Sequence, residues 1–315
     1  MPQSPALSRM PSPLRGIVPP LATPLSGRDE LDLAGLDRLI EHVLAGGVHG
    51  LFILGTTGEG PALSYRLRTE MIQRTCEQVA GRVPVLVGIT DTSLVESLQL
   101  AEVAADAEAD AVVMAPPYYL PFGQSQLVDY TRELVAELPL PLFLYNMPAL
   151  CKTWFARETL AELLPEPRIL GLKDSSGDLA YLRDAVELAQ SRPGFTILIG
   201  PEALLAEALT FGVHGGVCGG GNVFPEFFVN LCAAYEQDDA MGVAAWQERI
   251  ERLQGLYRIS PHPSAVIQGV KAGLACRGIC ADLLAEPVRA LAGEDRERAD
   301  QIIADLEAAV NRTSA

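Results

Sequence analysis

The stretch GLFILGTTGEGPALSYRLRTEMIQRTCEQVAGRVPVLVGI, residues 50–89, carries one complete structural repeat. It opens on an apolar run of strand length, 50–54, and leaves it on Gly55-Thr56-Thr57-Gly58. A helical stretch follows at 65–79, with Ser64 placed as its N-cap. A second apolar run comes at 83–89. Strand, helix, strand in this order is the signature of a parallel sheet with a right-handed crossover.

Outward from this stretch the same unit recurs. Apolar runs stand at 17–22, 111–115, 141–145, 169–173, 196–200 and 215–218. Helical stretches lie between them at 33–44, 93–107, 125–137, 158–164, 179–189 and 202–211. In 125–137, Leu127, Tyr130, Leu134 and Val135 share one helical face. Eight strands, each with its helix, fit an α/β fold, the (β/α)8 TIM barrel, over 14–238. A doubly wound open sheet normally has fewer strands, and no glycine fingerprint follows the first strand here. From 224 onward the pattern is helical only, at 224–236, 239–258, 263–275 and 296–311. The residues 239–315 read as a C-terminal helical extension of one continuous protein. Residues 1–13 are rich in Pro and Ser and read as a flexible tail. They lack the apolar core of a signal peptide.

The 315 residues are 49% apolar and 20% charged, enough to bury a core. The formal charge of −16 argues against nucleic acid or an anionic membrane as partner. It also means that an anionic substrate must be held by local groups. No apolar stretch is long enough to span a bilayer. Six cysteines and four histidines show no metal-ligand spacing, so no metal is expected. Reduced thiols point to a cytoplasmic protein.

In such a barrel, chemistry sits at the C-terminal ends of the strands. The chain has three lysines, 152, 173 and 271. Lys152 falls in a loop, where it reads either as an anion contact or as a solvated residue. Lys271 falls on an amphipathic helix, where a solvated or snorkelling role is expected. Lys173 alone ends a buried strand. Desolvation there favours the neutral amine, a nucleophile toward a carbonyl. The alternative is a structural lysine paired with Asp174. Tyr145, at the same end of the neighbouring strand, is placed to move protons for that amine, or is a half-buried aromatic and nothing more. Gly55 and Gly58 would free the backbone for unusual φ, and Thr56 and Thr57 would add hydroxyl donors. That suits a small anion such as a carboxylate. A tight turn into the helix after Ser64 is the other reading. Cys218 has no activating histidine nearby in sequence and reads as packing.

GTTGE after strand two, YYLP after strand four, YNMP after strand five and GLKDSSG at strand six occur in one order. As a set, over residues 14–290, they resemble the dihydrodipicolinate synthase / N-acetylneuraminate lyase family of pyruvate-dependent class I aldolases. The resemblance implies that Lys173 is the Schiff-base lysine and Tyr145 the proton-shuttling tyrosine. Thr56 and Thr57 would bind the pyruvate carboxylate and join the relay. Tyr119 would be lent across a subunit interface, and Val217 would line the site. A dimer of dimers, hence a homotetramer, is implied. So is a reaction without metal or organic cofactor, on a 2-keto acid (pyruvate) and an aldehyde.

The departures bear on substrate. Synthases of the family carry an arginine where Leu150 stands, which counts against 4-hydroxy-tetrahydrodipicolinate synthesis. The acidic pair and serine with which sialic-acid lyases hold the sugar are mostly missing from Gly200-Pro201-Glu202-Ala203 and Gly219-Gly220-Gly221. GTTG with Gly60-Pro61, Leu63-Ser64 and Pro116-Pro117-Tyr118-Tyr119 is similar to aldolases of 2-keto-3-deoxy sugar acids. A dehydratase of the same family would share the imine. Outside the family, a phosphate-binding barrel enzyme would use GGVCGGGN after strand eight, and a sensor would bind a 2-keto acid without turnover.

Overall fold

A computed structural model describes residues 10–313. The first strand, β1 (Gly16–Ile17), is followed by a small antiparallel hairpin, β2 (Leu25–Gly27) and β3 (Glu30–Leu31). Then come β4 (Leu51–Ile53), β5 (Val85–Gly88), β6 (Ala111–Met114), β7 (Leu142–Asn146), β8 (Ile169–Asp174), β9 (Thr196–Ile199) and β10 (Gly215–Gly216). All but the hairpin form one parallel sheet in the order β1-β10-β9-β8-β7-β6-β5-β4. Its two ends meet at Pro20 and Phe52. There Phe52 N donates to Pro19 O at 3.0 Å and Leu21 N donates to Phe52 O at 2.8 Å. The sheet therefore closes into the expected barrel. Strand one is shorter than the apolar run 17–22 suggests, because Pro19 and Pro20 have no N–H to give to a ladder.

The crossovers are α1 (Leu33–Ala45), α2 (Tyr65–Val79), α3 (Leu94–Asp106), α4 (Gln124–Glu137), the short α5 (Pro148–Cys151), α6 (Arg157–Leu163), α7 (Leu179–Ala189) and α8 (Leu205–Phe211). Local sequence starts several of them. Asp32, Ser64, Ser93 and Asp178 each accept a hydrogen bond from a first-turn N–H. Past the barrel lie α9 (Pro225–Glu236), α10 (Ala240–Leu253), α11 (Ala265–Cys276) and α12 (Gly293–Thr313).

Two cores follow from the period of two along a strand. Val18, Phe52, Leu86, Val113, Phe143 and Leu198 fill the barrel. Their neighbours Ile17, Ile53, Val87, Val112, Leu144 and Ile197 face outward into the layer that also holds Leu39, Met71 and Leu134 of the helices. Burial stabilises by about 1.5–3 kcal/mol for each such side chain. The same alternation matters for the site. Leu172 belongs to the outer layer, so Lys173, one residue on, turns into the barrel.

The flexible tail expected over 1–13 falls largely outside the described residues. Of its last residues, Met10 is buried with the barrel-filling side chains, and Ser12 Oγ donates to Gly194 O at 3.2 Å. One expectation is overturned. Lys271 is neither solvated nor snorkelling: it is 0% exposed. Helix α11 is buried on nearly every face, from Gln268 through Leu274, so no face of it leads a lysine to water.

Candidate active site

Lys173 and Tyr145 are register partners on the adjacent strands β8 and β7. Parallel pairing puts both at the C-terminal mouth of the barrel. Lys173 is 6% exposed. Its Nζ lies over the Tyr145 ring, 4.0 Å from the centroid, and 5.0 Å from the centroid of Phe52. No carboxylate among the described residues is within ion-pair distance of it. The Tyr145 hydroxyl is 3.3 Å from Thr56 Oγ1, with either oxygen able to donate. Phe52 packs edge-on against the Tyr145 ring at 6.2 Å and holds its plane.

The pairing of Lys173 with Asp174 is not realised. Asp174 faces the other way along the pleat. Its Oδ1 accepts from Asn146 Nδ2 at 2.8 Å, and its Oδ2 accepts from Ser176 Oγ at 2.9 Å. Burial raises the Asp174 carboxyl above its ordinary range, against these hydrogen bonds.

The turn after β4 is tight for a different reason from the one expected. Neither Gly55 nor Gly58 has a positive φ; the left-handed residues are Leu54 and Glu59, at 54 and 59, with φ of 57° each. The glycines are needed for close approach. A Cβ on Gly55 would meet the Phe52 ring at 2.6 Å, and one on Gly58 would meet Leu21 O at 2.8 Å. Glu59 N donates to Thr56 O at 3.0 Å and closes the turn. Ser64 caps α2, as expected, by accepting from Leu67 N. The tight turn is therefore present, and Thr56 and Thr57 line the cavity beside it.

That cavity is about 540 Å³ and is lined by Thr56, Thr57, Tyr145, Lys173 and Val217 together. Leu150 and Met147 also line it. Lys152 is exposed at the end of α5 and outside the lining. A second cavity of about 270 Å³ shares Thr56, Tyr145, Met147 and Leu150 and adds Gly55 and Tyr118. Tyr119 stands apart. It is 80% exposed and lines neither cavity. One chain alone does not bring it to Lys173.

Sequence reasoning missed the far wall. Gln254, Tyr257, Ser264, Val266 and Ile267 come from the helical extension, which roofs the cavity. It also missed Glu202, whose Oε1 accepts from Gly220 N at 2.7 Å and from Tyr257 Oη at 3.1 Å. Burial pushes its carboxyl up to about 7, opposed by the Gly220 and Tyr257 hydrogen bonds. Burial and the adjacent Glu202 raise the Tyr257 phenol as well. The sequence reads 254–258 and 263–267 only as parts of two ordinary helices, 239–258 and 263–275, so no local signal could have found these residues.

The GGVCGGGN turn does not suit phosphate. Gly220 N is already given to Glu202, and a second anion beside that carboxyl would be repelled. Cys218 is fully buried, and burial first, then the Glu202 charge, raises its thiol, as expected of a packing residue.

Known proteins share this sequence pattern and this fold. The chain is 34% identical over 296 residues to an uncharacterised DapA-like lyase of Halobacterium salinarum, across 93% of this chain and 94% of that one. A solved dihydrodipicolinate synthase from Bacteroides thetaiotaomicron superposes with a TM-score of 0.91 at 46% identity, over 94% of this chain and 100% of that one. YagE of Escherichia coli K12, solved in complex with pyruvate, superposes with a TM-score of 0.88 at 28% identity, over 93% of this chain and 98% of that one. The name of YagE proposes a 2-dehydro-3-deoxy-D-gluconate aldolase, and it is 32% identical over 247 residues, 78% of this chain and 82% of that one. Residues 13–306 match the Dihydrodipicolinate synthetase family. With the barrel, the lysine at its mouth and this match in agreement over almost the whole length, the chain belongs to the dihydrodipicolinate synthetase family and is a carbon–carbon lyase of it.

Proposed function

We propose that the protein cleaves a 2-keto acid, of the 2-keto-3-deoxy sugar acid class, to pyruvate and a neutral aldehyde through a Schiff base on Lys173. One observation carries this reading: a buried amine without a carboxylate partner, at the barrel mouth, beside a tyrosine whose hydroxyl meets a threonine hydroxyl.

The cycle follows from that geometry. Thr56 and Thr57 hold the substrate carboxylate. The Lys173 amine attacks the C2 ketone to give a carbinolamine. Tyr145, relayed through Thr56, gives its proton to the departing hydroxyl, and water leaves. The iminium is an electron sink. The Tyr145 phenolate takes the proton of the C4 hydroxyl, the C3–C4 bond breaks, and the aldehyde departs. The enamine is protonated at C3, and hydrolysis frees pyruvate and the lysine. The pyruvate found in YagE supports the three-carbon half of this reading.

The neutral half rests on charge. Among the described residues no arginine, histidine or second lysine lines the larger cavity beside Lys173, and Leu150 stands where the resemblance places an arginine. An aldehyde with its own carboxylate would find no partner there. The synthase reading, favoured by the Bacteroides relative, requires one.

Tyr119 enters through a second copy of the chain. Its exposed ring beside exposed Leu120 suits an interface, and the cavity next to Thr56 and Tyr145 would receive the Tyr119 of the partner. The protein would then work as a homo-oligomer, a dimer of dimers. Six free cysteines suit a reducing cytoplasm. No helix among the described residues is long and apolar enough to cross a membrane.

Incubation with pyruvate and borohydride should leave a permanent adduct on Lys173. Lys173→Ala should lose the adduct and all turnover, and Tyr145→Phe should slow turnover by ~10²–10⁴. Pyruvate release across a panel of 2-keto-3-deoxy acids, N-acetylneuraminate and 4-hydroxy-2-oxoglutarate identifies the substrate. Full activity in Lys173→Ala would sink the mechanism.

A further inference from the structure

Lys271 and Glu59 form a buried ion pair that no step above uses. Lys271 is 0% exposed and Glu59 is 5% exposed, and Nζ stands 3.0 Å from Glu59 Oε1. This is a charge contact off the line of a hydrogen bond. The ammonium sends its hydrogen bonds to Thr23 O and Leu283 O, each at 2.6 Å. The other oxygen, Glu59 Oε2, accepts from Ala285 N at 2.7 Å.

The partners of Lys271 lie on both sides of the carboxylate-binding turn. Thr23, whose carbonyl takes the lysine, gives its own hydroxyl to Gly58 O at 2.7 Å. Glu59 follows Gly58 in the chain, and its N–H closes the turn on Thr56 O. Lys271, Thr23, Gly58 and Glu59 thus make a closed ring of contacts. Thr57 sits directly before that ring, in the cavity wall. Glu59 holds a left-handed φ of 57° with no help from being glycine. Something must hold it there, and the ring does. A buried ion pair is a poor way to add stability compared with apolar packing of the same volume. It is a good way to set one geometry.

We propose that the Glu59–Lys271 pair is a positioning pair for substrate: it fixes the Thr56–Thr57 turn in the shape that holds the 2-keto acid carboxylate, and so makes the helical extension part of carboxylate recognition. The proposal rests on the reading of that turn given above.

The test compares Lys271→Met/Glu59→Gln, which leaves no unpaired buried charge, with Val270→Ala. Val270 is fully buried on the same helix and outside the ring. Borohydride trapping of Lys173 is followed against pyruvate concentration, and against acetone, a ketone with no carboxylate, with thermal unfolding recorded for each variant. In the double variant, half-saturation by pyruvate should rise about 10-fold or more. The adduct at saturating pyruvate and the trapping of acetone should stay as in the parent, and Val270→Ala should shift neither. Unchanged half-saturation in the double variant overturns the proposal alone, as does an equal shift in Val270→Ala. No adduct in the parent protein overturns the reading of Lys173, and this inference with it.

Discussion

Glu202 shows how one side chain sets a pH response. Its carboxyl ordinarily titrates near 4.5, and burial lifts it to about 7 in the folded protein. Between these values the folded state binds the proton and the unfolded state has lost it. Stability is therefore full below pH 4.5 and falls as pH rises to about 7, by about 3 kcal/mol in all. Glu202→Gln should remove that decline, because an amide has no proton to lose and can still accept from Gly220 N. Melting temperatures of both proteins across this window check the point; parallel curves would exclude Glu202 as the source. Lys173 is the opposite kind of residue. Its neighbours are aromatic faces, so its surroundings were set by strand alternation and pairing register more than by any local partner.

At the level of elements, the turn between β4 and α2 is where packing is least forgiving. A Cβ on Gly60 would meet Leu54 O at 2.1 Å, so Gly60→Ala must push the turn away from the strand. We expect a loss of about 1–3 kcal/mol in chemical denaturation. If the turn binds the 2-keto acid and Lys173 reacts with it, as proposed, KM should suffer more than kcat. Helix α11 makes the complementary point. Lys271→Met by itself leaves Glu59 buried and unpaired, which should cost about 3–5 kcal/mol, read as a lower melting temperature. A melting temperature like the parent's would mean that water reaches Glu59. Elements were also the level at which sequence worked best. Helices α2 and α7 begin and end where their capping residues and periodicity place them. The hairpin β2–β3 escaped notice because two- and three-residue strands are too short to show alternation.

For the whole molecule, the proposed loan of Tyr119 to a neighbouring chain makes a prediction of its own. If each site borrows it from a partner, Tyr119→Ala and Lys173→Ala are both inactive alone. Mixed and reassembled, they should recover activity, because a hybrid contains one site with an intact Lys173 and an intact borrowed Tyr119. No recovery, with hybrids shown to form, would mean that Tyr119 acts in its own chain or not at all. The same level explains the far wall of the cavity. The helical extension, read from sequence as an appendage, supplies Gln254, Tyr257 and Ile267 to the site. Along the chain, Ile267 lies well over a hundred positions from Tyr145.

Read alone, the sequence was sufficient for the barrel, for the ends of most helices and for the position of Lys173, Tyr145, Thr56 and Thr57 at the C-terminal ends of their strands. Those features are local: periodicity, capping residues and the type of residue that ends each strand. Tertiary structure alone decided that Lys271 is buried against Glu59, that Glu202 faces Tyr257 and Gly220, and that the glycines of GTTG serve close approach instead of left-handed backbone. Each of these depends on which distant segments touch, and burial and close contact leave no periodic trace in the chain.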